Sequence, residues 1–288
     1  MKLAALLFVT GCASATCPAQ LITDPAQAIA AQKHAPIRSL RAEAKIDQRG
    51  RDGRIKGKLM MFVERPDRVR FDAMTQFGPA LILTSDGQNF ALSDFKDGRY
   101  LSGPACAESL GRVIGVALAS SEVASVLLGE APLIAGTDAL SCSGGTYKLE
   151  RRGADGAREE LELAVHEADR KLPPGQQRLY LAAATLWNPR GDKLYRVRYE
   201  DYRRVGNAEF PHTVRIDDFG NHSDALLRLS DVAVDVAVPA GAFTQTPRAG
   251  LALEAVECDG TAPPAAEPKL DLQETPSAPT PPVPSTAP

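Results

Sequence analysis

The sequence predicts a mainly β fold, α+β in content: an antiparallel meander with short helices laid over its apolar face. Three observations carry this. From Ile37 to Phe95 apolar and polar residues alternate in short runs broken by turn residues. Between Ala105 and Leu127 the apolar spacing changes to that of a helix. Beyond Tyr147 the alternation of period two returns. A sheet wetted on one side must cover its other side, so helices more apolar than a solvated surface needs belong on the sheet.

The chain has 288 residues, and residues 1–11 read as an export signal. Lys2 precedes the apolar run Leu3 to Val9, which is too short to span a bilayer. The run ends Val9-Thr10-Gly11-Cys12, which resembles a bacterial lipobox and implies lipidation of Cys12; the alternative is a conventional signal cut near Ala13 to Ala15. Ala13, not Asp, follows Cys12, which resembles an outer-membrane address. Residues 12–23 form a linker, residues 24–259 one domain, and the proline- and alanine-rich residues 260–288 a disordered tail.

Within the domain, Asp24 caps a helix that Pro25 opens and Pro36 stops, with Ala26, Ile29 and Ala30 as its stripe. Leu40, Ala42, Ala44 and Ile46 share one face of the first strand, and Leu59, Met61 and Val63 one face of the second. After the Arg65-Pro66-Asp67-Arg68 turn, Val69, Phe71 and Ala73 alternate with charges. Thr75 to Ala80 breaks the pattern and predicts a turn or protruding loop, since Pro79 cannot donate to a ladder. Asp86-Gly87 turns the chain into Phe90 and Leu92.

Leu110, Val113, Ile114, Ala117 and Leu118 fall on one helical face, and a second helix capped by Ser120 or Ser121 carries Val123, Val126 and Leu127. Tyr147 to Arg151 and Glu160 to Val165 read as a hairpin with Leu161, Leu163 and Val165 facing in. Glu159, Glu160 and Glu162 then read as a solvated strand edge. Strands follow at Arg178 to Trp187 (with Leu179 and Leu181), Leu194 to Tyr202, and around Val214, Ile216, Leu227 and Leu229. Val232 to Val238 switches parity, which predicts a bulge near Ser230-Asp231.

With Cys12 given to lipid, Cys17, Cys106, Cys142 and Cys258 remain, enough for two disulfides in one of three pairings; Cys106 with Cys142 would staple the base of the helical insertion. The spacing of the four histidines suits no metal, no nucleophile elbow or phosphate-cradling loop occurs, and no cofactor is implied, so the chain reads as a non-enzyme. A net charge of −3 and the lack of a basic stripe interleaved with aromatics argue against nucleic acid.

The lipobox, the N-terminal helix, the meander and its helical insertion, together with Pro66-Asp67-Arg68-Val69-Arg70-Phe71, Phe77-Gly78, Asp86-Gly87 and the run from Tyr199-Glu200-Asp201-Tyr202 through Phe210-Pro211, resemble the localisation-of-lipoproteins family. Its members are the periplasmic carrier LolA, the outer-membrane receptor LolB and lipoproteins of unassigned role. The resemblance implies an incompletely closed antiparallel β-barrel, a half-barrel, with a helical lid or plug. It also implies an apolar cavity for acyl chains or lipoproteins, in a monomer held at the outer membrane by its N-terminal lipid and facing the periplasm. The expected lining is Leu40, Leu59, Met61, Val69, Phe71, Phe90 and Leu92 from the early strands and Leu161, Leu163, Leu179 and Leu181 from the later ones. Leu110, Val113, Ile114 and Leu118 belong to the lid. Phe77 matches the exposed apolar residue that meets the membrane in the receptor. An acyl site needs aliphatic walls because each buried methylene is worth ~0.8 kcal/mol. The alternative is an envelope scaffold or stress sensor that docks a protein partner on the same shell.

Overall fold

The computed structural model describes residues 17, 22–32, 37–50, 53–114, 116, 118–173 and 176–258. The export signal, Cys12, His34 and the tail fall outside them.

Helix α1 (Pro25–Gln32) leads into six strands: β1 (Ser39–Gly50), β2 (Gly53–Glu64), β3 (Arg68–Thr75), β4 (Gly78–Ser85), β5 (Asn89–Asp94) and β6 (Arg99–Pro104). Helices α2 (Ala107–Ile114) and α3 (Ser120–Leu127) follow. The second run is β7 (Thr137–Ser143), β8 (Thr146–Arg152), β9 (Arg158–Val165), β10 (Leu179–Trp187), β11 (Lys193–Val205), β12 (Ala208–Asp218) and β13 (Ser223–Val234), with β14 (Ala252–Ala255) last. All fourteen strands form one sheet in the order β14-β6-β5-β4-β3-β2-β1-β13-β12-β11-β10-β9-β8-β7. Every pairing is antiparallel except that of β14 with β6. The sheet does not close, since β7 and β14 end it, and the helices cover its concave side: an open barrel with a helical lid.

The closing contact of the two runs is β1 with β13, residues far apart in sequence brought into register. Here the ladder slips between Arg41 and Glu43, and Asp231 sits at φ 47°, which is the predicted bulge. Strand alternation holds along the inner wall: Ala42, Ala44, Met61, Val63, Val69 and Phe71 are buried while their neighbours in sequence are exposed or half-buried, and Leu40 is buried beside a buried Ser39.

Several expectations are corrected. In α1 Asp24 does cap, accepting from the Gln27 N–H at 3.0 Å, but Ala28 and Gln32 are the buried residues while Ala26 and Ala30 are exposed. The first lid helix stops at Ile114, so Leu118 is buried in the connection rather than on the helix. Ala119, not a serine, stands at the N-cap of α3, and the Glu122 carboxylate takes its N–H at 2.8 Å. The turn expected between Thr75 and Ala80 is present as two residues, Gln76 and Phe77, but Pro79 lies inside β4, at a slip in the ladder, and not in a loop.

The C-terminal segment of the domain carries a strand that no alternation in the sequence announces. It crosses the outer side of β3–β6, where Gln245 donates to the Ile82 and Ala91 carbonyls at 2.9 and 3.0 Å and accepts from Ser93 at 2.8 Å. β14 then adds to the edge of β6. Gly103 is required there, because a Cβ at that point would strike the Val256 carbonyl. The disulfides are Cys17–Cys142 and Cys106–Cys258, replacing the preferred Cys106–Cys142 pairing. The base of the lid is thus stapled to the C-terminal strap and not to β7.

Candidate functional site

The concave wall and the lid form one buried apolar cluster. Leu40, Met61, Val69, Phe71, Phe90 and Leu92 from the first run join Leu161, Leu163 and Leu181 from the second, with Leu110, Leu118, Val123, Val126 and Leu127 from the helical insertion. Leu59 and Leu179 are only half-buried at its margin. The side chains of Val113 and Ile114 lie outside the described set.

The segment after α3 is held down by four polar contacts. Arg65 meets Glu130 at 2.7 Å; Tyr199 donates to the Glu130 carbonyl at 2.8 Å; the Ala131 N–H donates to Gln32 Oε1 at 2.9 Å; and the Ile134 N–H donates to Glu159 Oε2 at 3.1 Å. Tyr199 is fully enclosed, and its burial holds the phenol well above its ordinary pKa, so it acts here as a neutral donor. A cleft of about 270 Å³ runs beside this segment, lined by Ser121, Glu122, Ser125, Pro132, Leu133 and Ile134.

Glu159 overturns the reading of a solvated edge. It shares parity with Leu161 and Leu163, faces inward and is 1% exposed. On the inner face it stands in a three-strand row, Asp138 opposite Arg151 and Arg151 opposite Glu159. Arg151 lies 2.7 Å from Asp138. Burial pushes the Glu159 carboxyl up to about 7, with Glu122 and Asp138 adding to the rise, while the Ile134 N–H and Arg151 oppose it. Among the described residues its Oε1 has no hydrogen-bond partner. The signal was available in the sequence: a carboxylate two residues before two inward leucines must follow them inside. Glu160 and Glu162 on the other parity are half-buried and pair with Lys148 and Arg196.

Strand direction alternates along the sheet, so the turns gather at two rims. The β3–β4 turn with Phe77 belongs to one, and the Cys17–Cys142 bond to the other. Phe77 is 91% exposed. Gly78, at φ 117°, supplies the backbone that lets so tight a turn project it, and Thr75 Oγ1 braces the turn by accepting from the Phe77 N–H at 3.2 Å.

No family model matches the chain, and no curated protein matches it. Solved structures do. A domain of an outer membrane lipoprotein-sorting protein from Vibrio parahaemolyticus aligns over 76% of this chain and 94% of its own, at TM-score 0.50 and 12% identity. A LolA superfamily protein of Nitrosomonas europaea aligns over 73% of this chain and 92% of its own, at TM-score 0.49 and 13% identity.

The chain shares the fold of the Vibrio parahaemolyticus domain.

At such identity the likeness concerns the backbone: the open sheet and its helices are shared, while side chains are nearly all replaced. In this chain one disulfide lies on β7 at one edge of the sheet, and the strap, tied by the other, adds β14 at the opposite edge. Among the described residues no group of three His, Cys, Asp or Glu could hold a metal ion.

Proposed function

We propose that this LolA-like protein binds acyl chains between the concave sheet and the lid, accepting or passing on lipoproteins or related lipids at the cell envelope. One observation carries the reading: wall and lid share a single aliphatic cluster, while the segment closing it is latched by a few polar contacts. Apolar burial without directional bonds suits a guest recognised by hydrocarbon alone. On this reading a chain reaches the aliphatic cluster by displacing the latched segment after α3, beside which the cleft of about 270 Å³ runs. Transfer then follows affinity differences between successive apolar sites, with no nucleotide involved. The fold's relative in Vibrio parahaemolyticus, an outer membrane lipoprotein-sorting domain, supports the same assignment.

On this reading Cys12 carries the lipid that holds the protein to the outer membrane. The Cys17–Cys142 bond then leaves five residues of tether, a reach of at most ~18 Å. The test is native mass spectrometry and acyl-probe fluorescence on the soluble chain beginning at Ala13. Co-purifying lipid, and tighter probe binding when Arg65→Ala loosens the latch, are expected. An apo protein indifferent to acyl probes and lipidated peptides overturns the proposal.

The close fit of lid to wall favours one second reading, a scaffold whose shell docks a protein partner. It predicts partner binding that acyl probes do not compete.

A further inference from the structure

The outer face of the central strands carries a feature that no single stretch of sequence displays. Lys45 stands directly opposite Arg228 on one side and Lys58 on the other. All three are exposed, and they lie on β13, β1 and β2, adjacent in mid-sheet. Directly opposed side chains have Cβ atoms about 4.5–5.5 Å apart, where like charges destabilise a sheet. Among the described residues none of the three makes an ion pair. The flanking carboxylates on β1 are committed elsewhere or displaced: Asp47 is bridged to Arg54 and Lys56, and Glu43 faces Met60 and Ser230. Cations often guard sheet edges against unwanted pairing, but these are central strands with both neighbours in place, so that explanation fails.

The row continues into apolar surface. Lys58 is opposite Met74 on β3, Met60 beside it is 37% exposed, and three residues beyond Met74 the hairpin presents Phe77. Cations flanked by an exposed aromatic form a surface suited to a boundary that is anionic outside and greasy beneath.

We propose that the Arg228–Lys45–Lys58 row docks the barrel on a membrane surface bearing anionic phospholipid headgroups, with the cations among the phosphates. The Phe77 hairpin beside it is where the family resemblance already implies contact with the membrane, and the row adds selectivity for anionic headgroups to that contact. The surface uses the outer wall, so it stands independently of what occupies the concave side.

The test is flotation of the chain beginning at Ala13, which retains every described residue, with phosphatidylcholine vesicles containing or lacking phosphatidylglycerol. Binding is expected only with phosphatidylglycerol and should weaken as salt rises. The triple variant Lys45→Ser, Lys58→Ser, Arg228→Ser should bind about 100-fold more weakly, at ~1 kcal/mol per lost cation. It should melt no lower than the parent, which separates lost docking from lost folding, and Phe77→Ser should weaken binding without changing its salt dependence. Acyl-probe binding in the triple variant should be unaltered, so failure here and failure of the cavity reading are distinguishable. Equal vesicle binding by parent and triple variant, or binding of the parent to single-stranded RNA or an acidic polypeptide in preference to vesicles, overturns the proposal.

Discussion

Two rows of charge, each three strands wide, show how differently one sheet treats its two faces. On the inner face Asp138, Arg151 and Glu159 alternate in sign across β7, β8 and β9 and are largely out of water. On the outer face Arg228, Lys45 and Lys58 repeat one sign across β13, β1 and β2 in full contact with solvent. Alternation inside is forced, because an unpaired charge at low dielectric costs several kcal/mol. Repetition outside is tolerated, because water screens neighbours to a fraction of that. Tolerated is not favoured, however, and a repulsive row in mid-sheet points to a partner that supplies the missing anions.

The comparison breaks most sharply at Arg151. Replacing it with alanine leaves two inward carboxyls without their cation, and should lower unfolding free energy by about 3–5 kcal/mol in urea titrations. A loss below 1 kcal/mol would mean that water reaches the inner row and that the two faces are not so different.

Glu159→Gln sharpens the contrast through pH. The folded carboxyl titrates at about 7, above its ordinary value of 4.5, so the folded state holds more protons than the unfolded one between those values. Stability contributed by this group is therefore complete below pH ~4.5 and falls as pH rises through about 7. The glutamine variant should gain roughly 2–3 kcal/mol above pH 8 and nothing near pH 4, flattening the profile of melting temperature against pH. Opening of the segment over Glu159 admits water to its buried charge, so acyl-probe uptake by the parent should speed up toward alkaline pH and lose that dependence in the variant.

On the outer face the sign reverses. Lys45→Ser removes a cation with like charges on both sides, and should raise stability by about 0.2–1 kcal/mol at low salt, fading at high salt. A loss on substitution would show that Lys45 serves the fold. Smallest of all is Phe77→Ser, which should stay within ~0.5 kcal/mol of the parent in thermal melts, since the ring touches almost only water. A larger loss would place the phenylalanine in a structural role.

The sequence made legible whatever depends on near neighbours. Leu40, Ala42 and Ala44 declared their face by alternation, Asp24 and Pro25 declared the start of α1, and the change of parity at Asp231 declared the bulge. Glu159 follows its parity with Leu161 and not the charge of its side chain, so position in the strand outweighs residue type there. The helix ends at Ile114 and Ala119 were displaced from their expected places because burial of Leu118, and a cap supplied by Glu122 in place of a serine, decided them. Of the candidate site, the apolar wall was readable as an inward face, whereas the latch of Arg65, Tyr199, Gln32 and Glu159 joins four separate elements and had no local sign.

By itself the sequence determined the period of each element and hence which side chains must leave water, since both follow from backbone geometry over a few residues. Only the tertiary structure decided the partners: Cys106 with Cys258, β14 beside β6, and Lys45 between Arg228 and Lys58. Those pairings span long loops of chain, and the register that selects them is set by how the whole inner surface packs.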